Sequence, residues 1–313
     1  MIITRTPYRI SFFGGGSDYP EWYRKNGGRV ISTSINKYIY ITCRFLPKFF
    51  DHKYRIVWSK IENVKNLQKI EHKAVKNLIK LMNIKDGLEI HYDGDLPARS
   101  GIGSSSSFVV GLMKALNEFK NKKVSPINLA RQAINFEQKI LNETVGSQDQ
   151  IACSIGGFNK IIFQKNDKIR ITQFKTKNIQ KLNDNLILIY TSIKRDAHKI
   201  ASKYVNQLNK SKKKYMEEII KHSIKGEKLI NVGNLNDFGR LLNSTWQLKK
   251  KLSNSVSNKS IDELYNYCLE NGALGGKLLG AGGGGFLLVY MEKKYRKSFF
   301  LKSKKIINIP FKF

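Results

Sequence analysis

The feature that most constrains this chain is a loop of small residues that runs directly into an apolar segment. The loop spans residues 96–107, contains Gly101 and Gly103, and ends in the four serines Ser104–Ser107. Glycines let a backbone approach a ligand closely, and the apolar segment Phe108–Leu116 is typical of a helix that the serines can cap. The free N–H groups and the positive end of such a helix would face the loop and favour an anion. The pattern therefore predicts a phosphate-binding loop.

A plain connection between a strand and a helix would have the same composition as this loop, so composition alone leaves both interpretations open. Two other nucleotide-binding motifs are excluded. The loop has no Gly-Lys-Ser/Thr ending, which a Walker loop requires, and Ser106 stands where the dinucleotide-binding fingerprint needs a glycine.

The length and the charge of the chain limit the number of domains and the kinds of partner that it can have. A chain of 313 residues is long for a single core and indicates two domains of ordinary size. Its formal charge of +32 results from 56 Lys and Arg against 24 Asp and Glu, which raises nucleic acid, a membrane surface or an acidic ligand as a partner. However, the lysines are scattered through every segment, and their densest runs lack the interleaved aromatic residues of single-strand binders. We interpret these runs as solvated surface: Lys210–Lys214, Lys249–Lys251 and Lys302–Lys305.

The cysteines and the chain termini bear on the compartment. Cys43, Cys153 and Cys268 are odd in number and far apart, so neither a disulfide framework nor a zinc site is indicated. The first residues do not form an apolar core with a cleavage site, and no later segment is apolar over a membrane-spanning length. We therefore expect a cytoplasmic protein that does not enter a membrane.

Apolar periodicity predicts a mixture of strands and helices along the chain. The expected strands are Ile2–Thr6, Val30–Ser34, Tyr38–Arg44, Leu88–Tyr92, Lys160–Phe163, Ile169–Phe174, Leu186–Tyr190 and Leu287–Tyr290. The expected helices are Glu71–Met82, one that begins at Ser125-Pro126, one from about Asp196, long helices between Met216 and Lys250, and Ser260–Glu270.

Two further glycine-rich segments flank this pattern. Gly14, Gly15 and Gly16 precede Ser17 and Asp18, which places a carboxylate on a backbone that no side chain shields; a tight hairpin would explain the same turn. The segment 275–286 contains seven glycines and lies between two strand-like segments. Because each interior glycine costs roughly 0.5–1 kcal/mol, we expect this backbone to approach a ligand or another loop closely.

Two carboxylates are further candidate site residues. Glu137 falls on the apolar face of the helix that begins at Ser125, and Asp149 precedes another apolar segment. A carboxylate on a buried face is costly unless it is paired or holds a metal, so the two could converge on one site. A buried Glu satisfied by the backbone and an Asp that caps a helix would account for them equally well.

Taken in order, the three glycine-rich segments resemble those of the GHMP kinase family over nearly the whole chain. Pro7–Tyr19 is similar to the first motif of the family, Pro97–Ser106 to its ATP-binding second motif and Lys277–Phe286 to its third. The resemblance implies a two-domain α/β (α+β) fold. Residues 1–180 would form an ATP-binding half like ribosomal protein S5 domain 2, and residues 181–313 a ferredoxin-like half, with the active site between them.

The resemblance also implies roles for individual residues. Asp149 would accept the proton of the attacking hydroxyl, with Arg9 beside it, while Ser105 and Glu137 would hold Mg²⁺. ATP would be bound by Pro97, Ser100, Gly101, Ile102, Gly103, Ser104, Ser105 and Ser106. The substrate would be bound by Gly15, Gly16, Ser17, Asp18, Gly282, Gly283 and Gly284.

Two departures from the family pattern narrow the substrate. Arg99-Ser100 replaces the usual glycine and small residue of the second motif, and Gly15-Gly16 replaces the Glu-His of galactokinases. The chain looks most like family members that use ATP to phosphorylate the anomeric hydroxyl of a heptose 7-phosphate, for nucleotide-activated heptose in bacterial surface polysaccharide. In such an enzyme Arg195 is a candidate ligand of the phosphate already on the sugar. A surface ion pair of Arg195 with Asp196 or with a C-terminal carboxylate would explain this residue equally well.

Two alternatives to this function stay open. One is a fucokinase-like or other sugar 1-kinase of the same family, and the other is a basic protein that binds nucleic acid, whose binding would fall steeply with salt. On the preferred interpretation the partners are ATP and a phosphorylated sugar, with no obligatory nucleic acid and no membrane, and the protein is a monomer or a homodimer.

Overall fold

Long antiparallel strands organise the first half of the chain in a computed structural model that describes residues 1–194, 197–303 and 305–313. The elements of this half are β1 (Ile2–Phe13), α1 (Pro20–Asn26), β2 (Gly28–Phe45), β3 (Tyr54–Val57), β4 (Ile61–Val64), α2 (Lys73–Leu81), β5 (Leu88–Gly94), α3 (Ser104–Phe119), α4 (Pro126–Asn135), α5 (Gln148–Ile155), β6 (Phe158–Phe163) and β7 (Ile169–Gln173). A π-helical turn, Phe136–Ile140, follows α4 directly.

The strand β2 is the centre of the first sheet. The strand order is β4-β3-β5-β2-β6-β7, and β1 pairs with β2 on the other side. One part of β2 pairs with β6 and the other with β5, and all these pairs are antiparallel except β3 with β5. The apolar helix α3 packs on β1 and β2, so the loop that precedes it is fixed at the end of β5.

The second half forms a four-stranded antiparallel sheet with helices against it. Its elements are α6 (Asn178–Asp184), β8 (Leu186–Tyr190), α7 (Ala197–Ala201), α8 (Lys213–Val232), α9 (Leu235–Lys250), α10 (Lys259–Glu270), β9 (Ala273–Leu278), β10 (Phe286–Met291), α11 (Lys293–Lys302) and β11 (Ile307–Asn308). The strand order is β11-β8-β10-β9. None of the helices in the described ranges is long and apolar enough to cross a bilayer.

An aromatic contact joins the two halves. Phe12 and Phe13 of β1 lie edge-on to Phe238 of α9, with ring centroids 5.6 and 4.9 Å apart. Gly226 of α8 allows this approach, since a Cβ there would lie 2.5 Å from Cε2 of Phe13. Because α8 and α9 pack on the end of β1, they fix the second half against the turn that follows this strand.

Most predicted elements are present, with three corrections. The strand predicted over residues 2–6 continues to Phe13, and the two strands predicted over 30–34 and 38–44 are one strand. The pairing with β1 shifts register between Ser34 and Tyr38, where the two predicted strands were separated, but both parts pair with β1 and the strand continues. The helix predicted to start at Glu71 starts at Lys73, because the His72 side chain accepts the Val75 N–H and caps it.

Candidate active site

The loop between β5 and α3 closes against the first strand. The Arg9 N–H donates to the Ile102 carbonyl oxygen at 3.0 Å. Gly101 and Gly103 have φ angles of +83° and +77°, a left-handed conformation that favours glycine. Gly103 is the N-cap residue of α3 and no side chain caps this helix, so the prediction that the serines cap it is wrong. The positive end of α3 therefore faces the loop without a side chain over it.

Arg9 of β1 and Asp149 in the first turn of α5 form a two-point ion pair beside this loop. Arg9 Nε lies 2.6 Å from Asp149 Oδ1, and Nη2 lies 2.7 Å from Oδ2. The remaining nitrogen, Nη1, donates to the Gly101 carbonyl oxygen at 2.7 Å. The Arg9 side chain is 4% exposed and that of Asp149 is 24% exposed, so the carboxylate keeps an accessible edge.

Gly103 sets the distance between the loop and this ion pair. A Cβ at position 103 would lie 3.1 Å from Cγ of Arg9 and 3.6 Å from Oδ2 of Asp149. A side chain here would therefore crowd the pair in addition to straining the backbone. The structure brings together the second glycine-rich segment and the two residues to which the family resemblance assigns the chemistry.

Glu137 is fully buried and lies in the π-helical turn that follows α4. Its Oε2 accepts hydrogen bonds from the Ser106 hydroxyl, at 2.8 Å, and from the Gln150 amide. Within the part of the chain that the structure describes, its Oε1 has no hydrogen-bond partner. Burial raises the pKa of this carboxyl to about 8 from its ordinary value of 4.5, because the ionised form is desolvated.

The unpaired oxygen of Glu137 fits a magnesium ion. Mg²⁺ binds in proteins through one or two carboxylates together with the phosphates of a substrate, so one inward-facing carboxylate beside a phosphate loop is a suitable donor set. The described residues contain no cluster of three or more His, Cys, Asp and Glu that could hold a metal by itself. The prediction paired Ser105 with Glu137, but Ser105 is exposed and Ser106, one step round the helix, makes the contact.

The turn that follows β1 is held by Asp18. The buried Asp18 carboxylate accepts from the Gly16 N–H at 2.9 Å and from the Gln148 N–H at 3.4 Å. Burial raises the pKa of this carboxyl, and the nearby charge of Asp149 raises it further. Gly146 packs directly on the carboxylate, where any side chain would overlap with it. Asp18 therefore connects the first glycine turn to the start of α5.

Ser17 and Gly16 complete this turn. The Ser17 hydroxyl donates to the Gly14 carbonyl oxygen at 2.7 Å and accepts from the Arg29 N–H at 2.9 Å. Gly16 has a φ angle of +104° and faces Met216 of α8, whose sulfur would lie 3.1 Å from a Cβ at this position. The turn is thus enclosed by both halves of the chain.

The third glycine-rich segment contacts the predicted phosphate-binding loop. Its glycine content had predicted such a close approach to a ligand or to another loop. The Phe286 N–H donates to the Ser100 carbonyl oxygen at 3.1 Å, and a Cβ at Gly285 would overlap with that carbonyl group. Gly282 and Gly284 face other backbone, since Cβ atoms there would lie 2.6 and 2.5 Å from the carbonyl oxygens of Val256 and Ile193. A Cβ at Gly283 would instead meet the side chain of Ile200, 2.5 Å from its Cδ1. These three glycines let the segment pack tightly before β10 begins.

The remaining predicted residues lie around the same loop, with one exception. The Ser100 hydroxyl donates to the Pro97 carbonyl oxygen at 2.5 Å, and the Ser104 hydroxyl accepts from the Arg99 N–H at 3.2 Å. Arg99 has a φ angle of +59°, the conformation that favours the glycine usual at this position in the family. Arg195 lies outside the described residues.

One buried residue at the site was missed by the sequence analysis. Lys277 of β9 is 3% exposed, and its Nζ donates to the carbonyl oxygens of Ser11 and Phe12 at 2.9 and 3.0 Å. The pairing of β1 with β2 shifts register at this point, and such a shift leaves backbone groups without partners. A lysine inside a run of glycine and leucine was the only signal in the sequence.

Burial gives Lys277 a testable effect on stability. Desolvation lowers the pKa of its ammonium group from 10.5 to about 7, so between these values the unfolded chain binds more protons than the folded one. This contribution to the free energy of unfolding therefore rises as the pH increases above 7. Lys277→Met also leaves two carbonyl groups unpaired, at a cost of about 1–3 kcal/mol.

We expect the destabilisation caused by Lys277→Met, measured by urea unfolding, to be larger at pH 9 than at pH 7. Lys297→Met, which removes an exposed lysine of α11, serves as the control and should change little at either pH. An equal destabilisation at both pH values would show that the folded lysine titrates normally.

Comparison with known proteins places the chain in a family. It matches the family model of the GHMP kinases N terminal domain over residues 64–157 and that of the GHMP kinases C terminal over residues 227–300. A D-glycero-alpha-D-manno-heptose 7-phosphate kinase of Campylobacter jejuni is 30% identical over 314 residues, which cover 94% of this chain and 91% of that protein. An L-fucokinase/L-fucose-1-P guanylyltransferase of Bacteroides fragilis is 25% identical and covers 94% of this chain, but only 35% of its own length is matched.

The fold agrees with this assignment. The crystal structure of a D-glycero-D-manno-heptose 1-phosphate kinase from Bacteroides thetaiotaomicron superposes with a TM-score of 0.81 at 23% identity, covering 100% of this chain and 96% of that one. These findings define a kinase that transfers phosphate from ATP. The chain belongs to the GHMP kinase family, and the resemblance inferred from its three glycine-rich segments is confirmed.

Proposed function

We propose that this kinase uses ATP and Mg²⁺ to phosphorylate the anomeric hydroxyl of D-glycero-D-manno-heptose 7-phosphate, giving the 1,7-bisphosphate. The observation that carries the proposal is the 30% identity to the heptose 7-phosphate kinase of Campylobacter jejuni over 94% of the chain. The geometry around Arg9 and Asp149 supports the proposal, because an accessible carboxylate lies next to the predicted phosphate-binding loop.

In this mechanism each group has a separate task. The anomeric oxygen attacks the γ-phosphorus, the bond from that phosphorus to the β–γ bridging oxygen breaks, and ADP leaves with the bonding electrons. Asp149 hydrogen-bonds the anomeric hydroxyl and takes its proton, while Arg9 fixes the direction of the carboxylate. The loop of residues 97–106 binds the ATP phosphates through its backbone N–H groups, and Glu137 and a loop serine would hold Mg²⁺, which neutralises phosphate charge when bound.

The two domains would share this work. We propose a boundary near residue 180, so that residues 1–180 bind ATP and residues 181–313 contribute the third glycine segment. Gly15, Gly16, Ser17, Asp18 and Gly282–Gly284 would surround the sugar. Arg195 would bind the phosphate already on the sugar.

We also propose a compartment, a use for the product and an oligomeric state. Cys43, Cys153 and Cys268 are all buried free thiols, which suits a reducing compartment such as the cytoplasm. The product would serve the synthesis of nucleotide-activated heptose for surface polysaccharide. We propose a monomer or homodimer that requires no nucleic acid for activity.

A coupled ADP-release assay across free and phosphorylated hexoses and heptoses tests the substrate. We expect turnover to be highest with heptose 7-phosphate and to require the sugar phosphate as well as ATP. A clear preference for free fucose or another unphosphorylated sugar would favour a fucokinase-like enzyme instead.

Removing the proposed metal ligand should have two effects of opposite sign. Glu137→Gln should raise the Mg²⁺ concentration needed for half-maximal turnover by at least about tenfold, because the amide is a much weaker ligand. The same variant should be at least as stable as the wild type without metal, because the glutamine amide oxygen can keep the two hydrogen bonds of Oε2 while the burial cost of an ionisable group is removed.

A Mg²⁺ titration of turnover measures the first effect. Thermal unfolding with ATP, with and without Mg²⁺, measures the stability of the variant and its stabilisation by the metal. Glu217→Gln, on the exposed side of α8, is the control and should retain the full stabilisation by Mg²⁺. If Glu137→Gln responds to Mg²⁺ as strongly as the wild type does, then Glu137 is not a metal ligand.

A further inference from the structure

Two buried polar side chains lie beside Gly15 in the first glycine turn. Ser11 of β1 is 4% exposed and Gln148, the first residue of α5, is 6% exposed. Among the described residues, the Ser11 hydroxyl and the Gln148 side-chain carbonyl oxygen have no hydrogen-bond partner. An unpaired buried polar group is costly, so the two side chains that meet at Gly15 each carry an atom with which a group absent from the free protein could pair.

Gly15 leaves the space between these side chains free. A Cβ at position 15 would lie 3.8 Å from both the Ser11 Oγ and the Gln148 Nε2, and it would meet nothing closer. The neighbouring positions differ: Gly14 abuts the Arg29 carbonyl group and Gly16 abuts Met216. Gly15 is therefore the one glycine of this turn whose missing side chain opens a space lined by polar atoms.

The backbone around this space is fixed from both halves of the chain. Lys277 binds the Ser11 and Phe12 carbonyl oxygens, so the strand that carries the Ser11 hydroxyl cannot shift freely. On the other side, the Gln148 N–H donates to Asp18, whose carboxylate also accepts from the Gly16 N–H. The backbone that carries the two side chains is thus held in place before a ligand arrives, which reduces the ordering cost of binding.

We propose that Ser11 and Gln148 bind one hydroxyl group of the sugar over Gly15 and thereby contribute to substrate specificity. The proposal rests on the proposed sugar kinase function and adds to it the residues that recognise the polyol part of the substrate. A serine hydroxyl and a primary amide can each donate and accept, which matches a sugar hydroxyl that does both. Asp149, next to Gln148 in α5, keeps the reacting hydroxyl close to the same turn.

The test compares Ser11→Ala and Gln148→Met with the wild type in the full-length enzyme. Both substitutions keep the backbone contacts to Lys277 and Asp18, and Ser11→Ala removes no hydrogen bond to another described residue, whereas Gln148→Met also removes a side-chain hydrogen bond to Asp18. Each should raise the KM for the sugar by about tenfold while leaving the KM for ATP within about twofold, as expected for losing one hydrogen bond to substrate. Gly15→Ala should have a similar effect, because its methyl group fills the space without straining the backbone.

Stability separates this role from a structural one. Removing an unpaired hydroxyl should leave the thermal midpoint of the free enzyme unchanged or higher, and Tyr267→Phe, which removes an unpaired buried hydroxyl in α10, is the matched control. The control should leave both KM values unchanged. A series of monodeoxy sugars should contain one analogue that the wild type uses poorly and that Ser11→Ala uses no worse than the intact sugar.

The outcomes distinguish the two proposals. If the wild type phosphorylates no heptose phosphate, the proposed function fails, and the same comparison is then made on the sugar that it does phosphorylate. If the sugar KM of all three variants stays within about twofold of the wild type on the accepted sugar, Ser11 and Gln148 do not bind it.

Discussion

Replacing Asp149 with Asn should slow phosphoryl transfer by about 10²–10⁴-fold, the usual range for removing a general base. The structure adds a second expectation, because Asp149 is also the partner of the buried Arg9. Neutralising the carboxylate leaves that guanidinium group without a counter-charge, and losing one partner of a buried pair costs about 3–5 kcal/mol. We therefore expect a slower and a less stable enzyme.

The Gly101 carbonyl oxygen still accepts from Arg9 in this variant, so the stability loss should fall at the lower end of that range. Single-turnover kinetics and urea unfolding measure the two effects separately. Asp167→Asn is the control, since Asp167 also pairs with an arginine, Arg24, but at an exposed site where such pairs contribute little. Turnover of Asp149→Asn within about threefold of the wild type would mean that positioning, not proton transfer, limits the reaction.

Replacing Gly285 with Ala should be one of the most disruptive single methyl additions at the site. The new Cβ would overlap with the Ser100 carbonyl group, and the φ angle of +96° is strained for alanine. To relieve this overlap, either Ser100 and the predicted phosphate-binding loop must shift, or the third glycine-rich segment must move away from the loop. We expect the affinity for ATP to fall by about 10²-fold, the effect that a displacement of about 1 Å can have on a positioned group.

Gly156→Ala is a matched control for this variant. Its φ angle is +75°, so alanine is strained there too, but a Cβ at Gly156 would meet no atom within 4 Å. The control should lose about 1 kcal/mol of stability and keep its affinity for ATP. Binding of a non-hydrolysable ATP analogue, measured by calorimetry, compares the two; equal affinities would show that the loop tolerates the displacement.

Local patterns in the sequence identified most elements, and tertiary contacts explain what the patterns missed. The strands predicted over residues 88–92 and 186–190 are present, and the second is a continuous apolar run that is buried almost throughout. The single strand β2 was predicted as two strands, because nothing local indicates that one partner strand, β1, pairs with both parts. Helix capping by Ser104–Ser107 failed for a similar reason: Gly103 takes the capping position with a left-handed backbone.

The site was predictable as a set of segments but not as a set of contacts. Glycine runs, Glu137 and Asp149 are visible in the sequence because their residue types are unusual where they stand. The bond between Arg9 and Asp149 joins residues 140 positions apart, and no local pattern specifies it. Ser11, Gln148 and Lys277 are polar residues in ordinary-looking strands and helices, so only their burial identifies them.

The π turn after α4 has a consequence for how this region can vary in length. The Leu141 N–H donates to the Phe136 carbonyl oxygen, five residues back, so the turn holds one residue more than an α-helical turn. Deleting a residue from 138–140 would restore a regular helix and rotate the following chain by about 100°. The segment that leads from Glu137 to Asp149 would then start in another direction, whereas the exposed Lys139 can be exchanged freely. In this part of the chain, residue number is therefore constrained more strictly than residue identity.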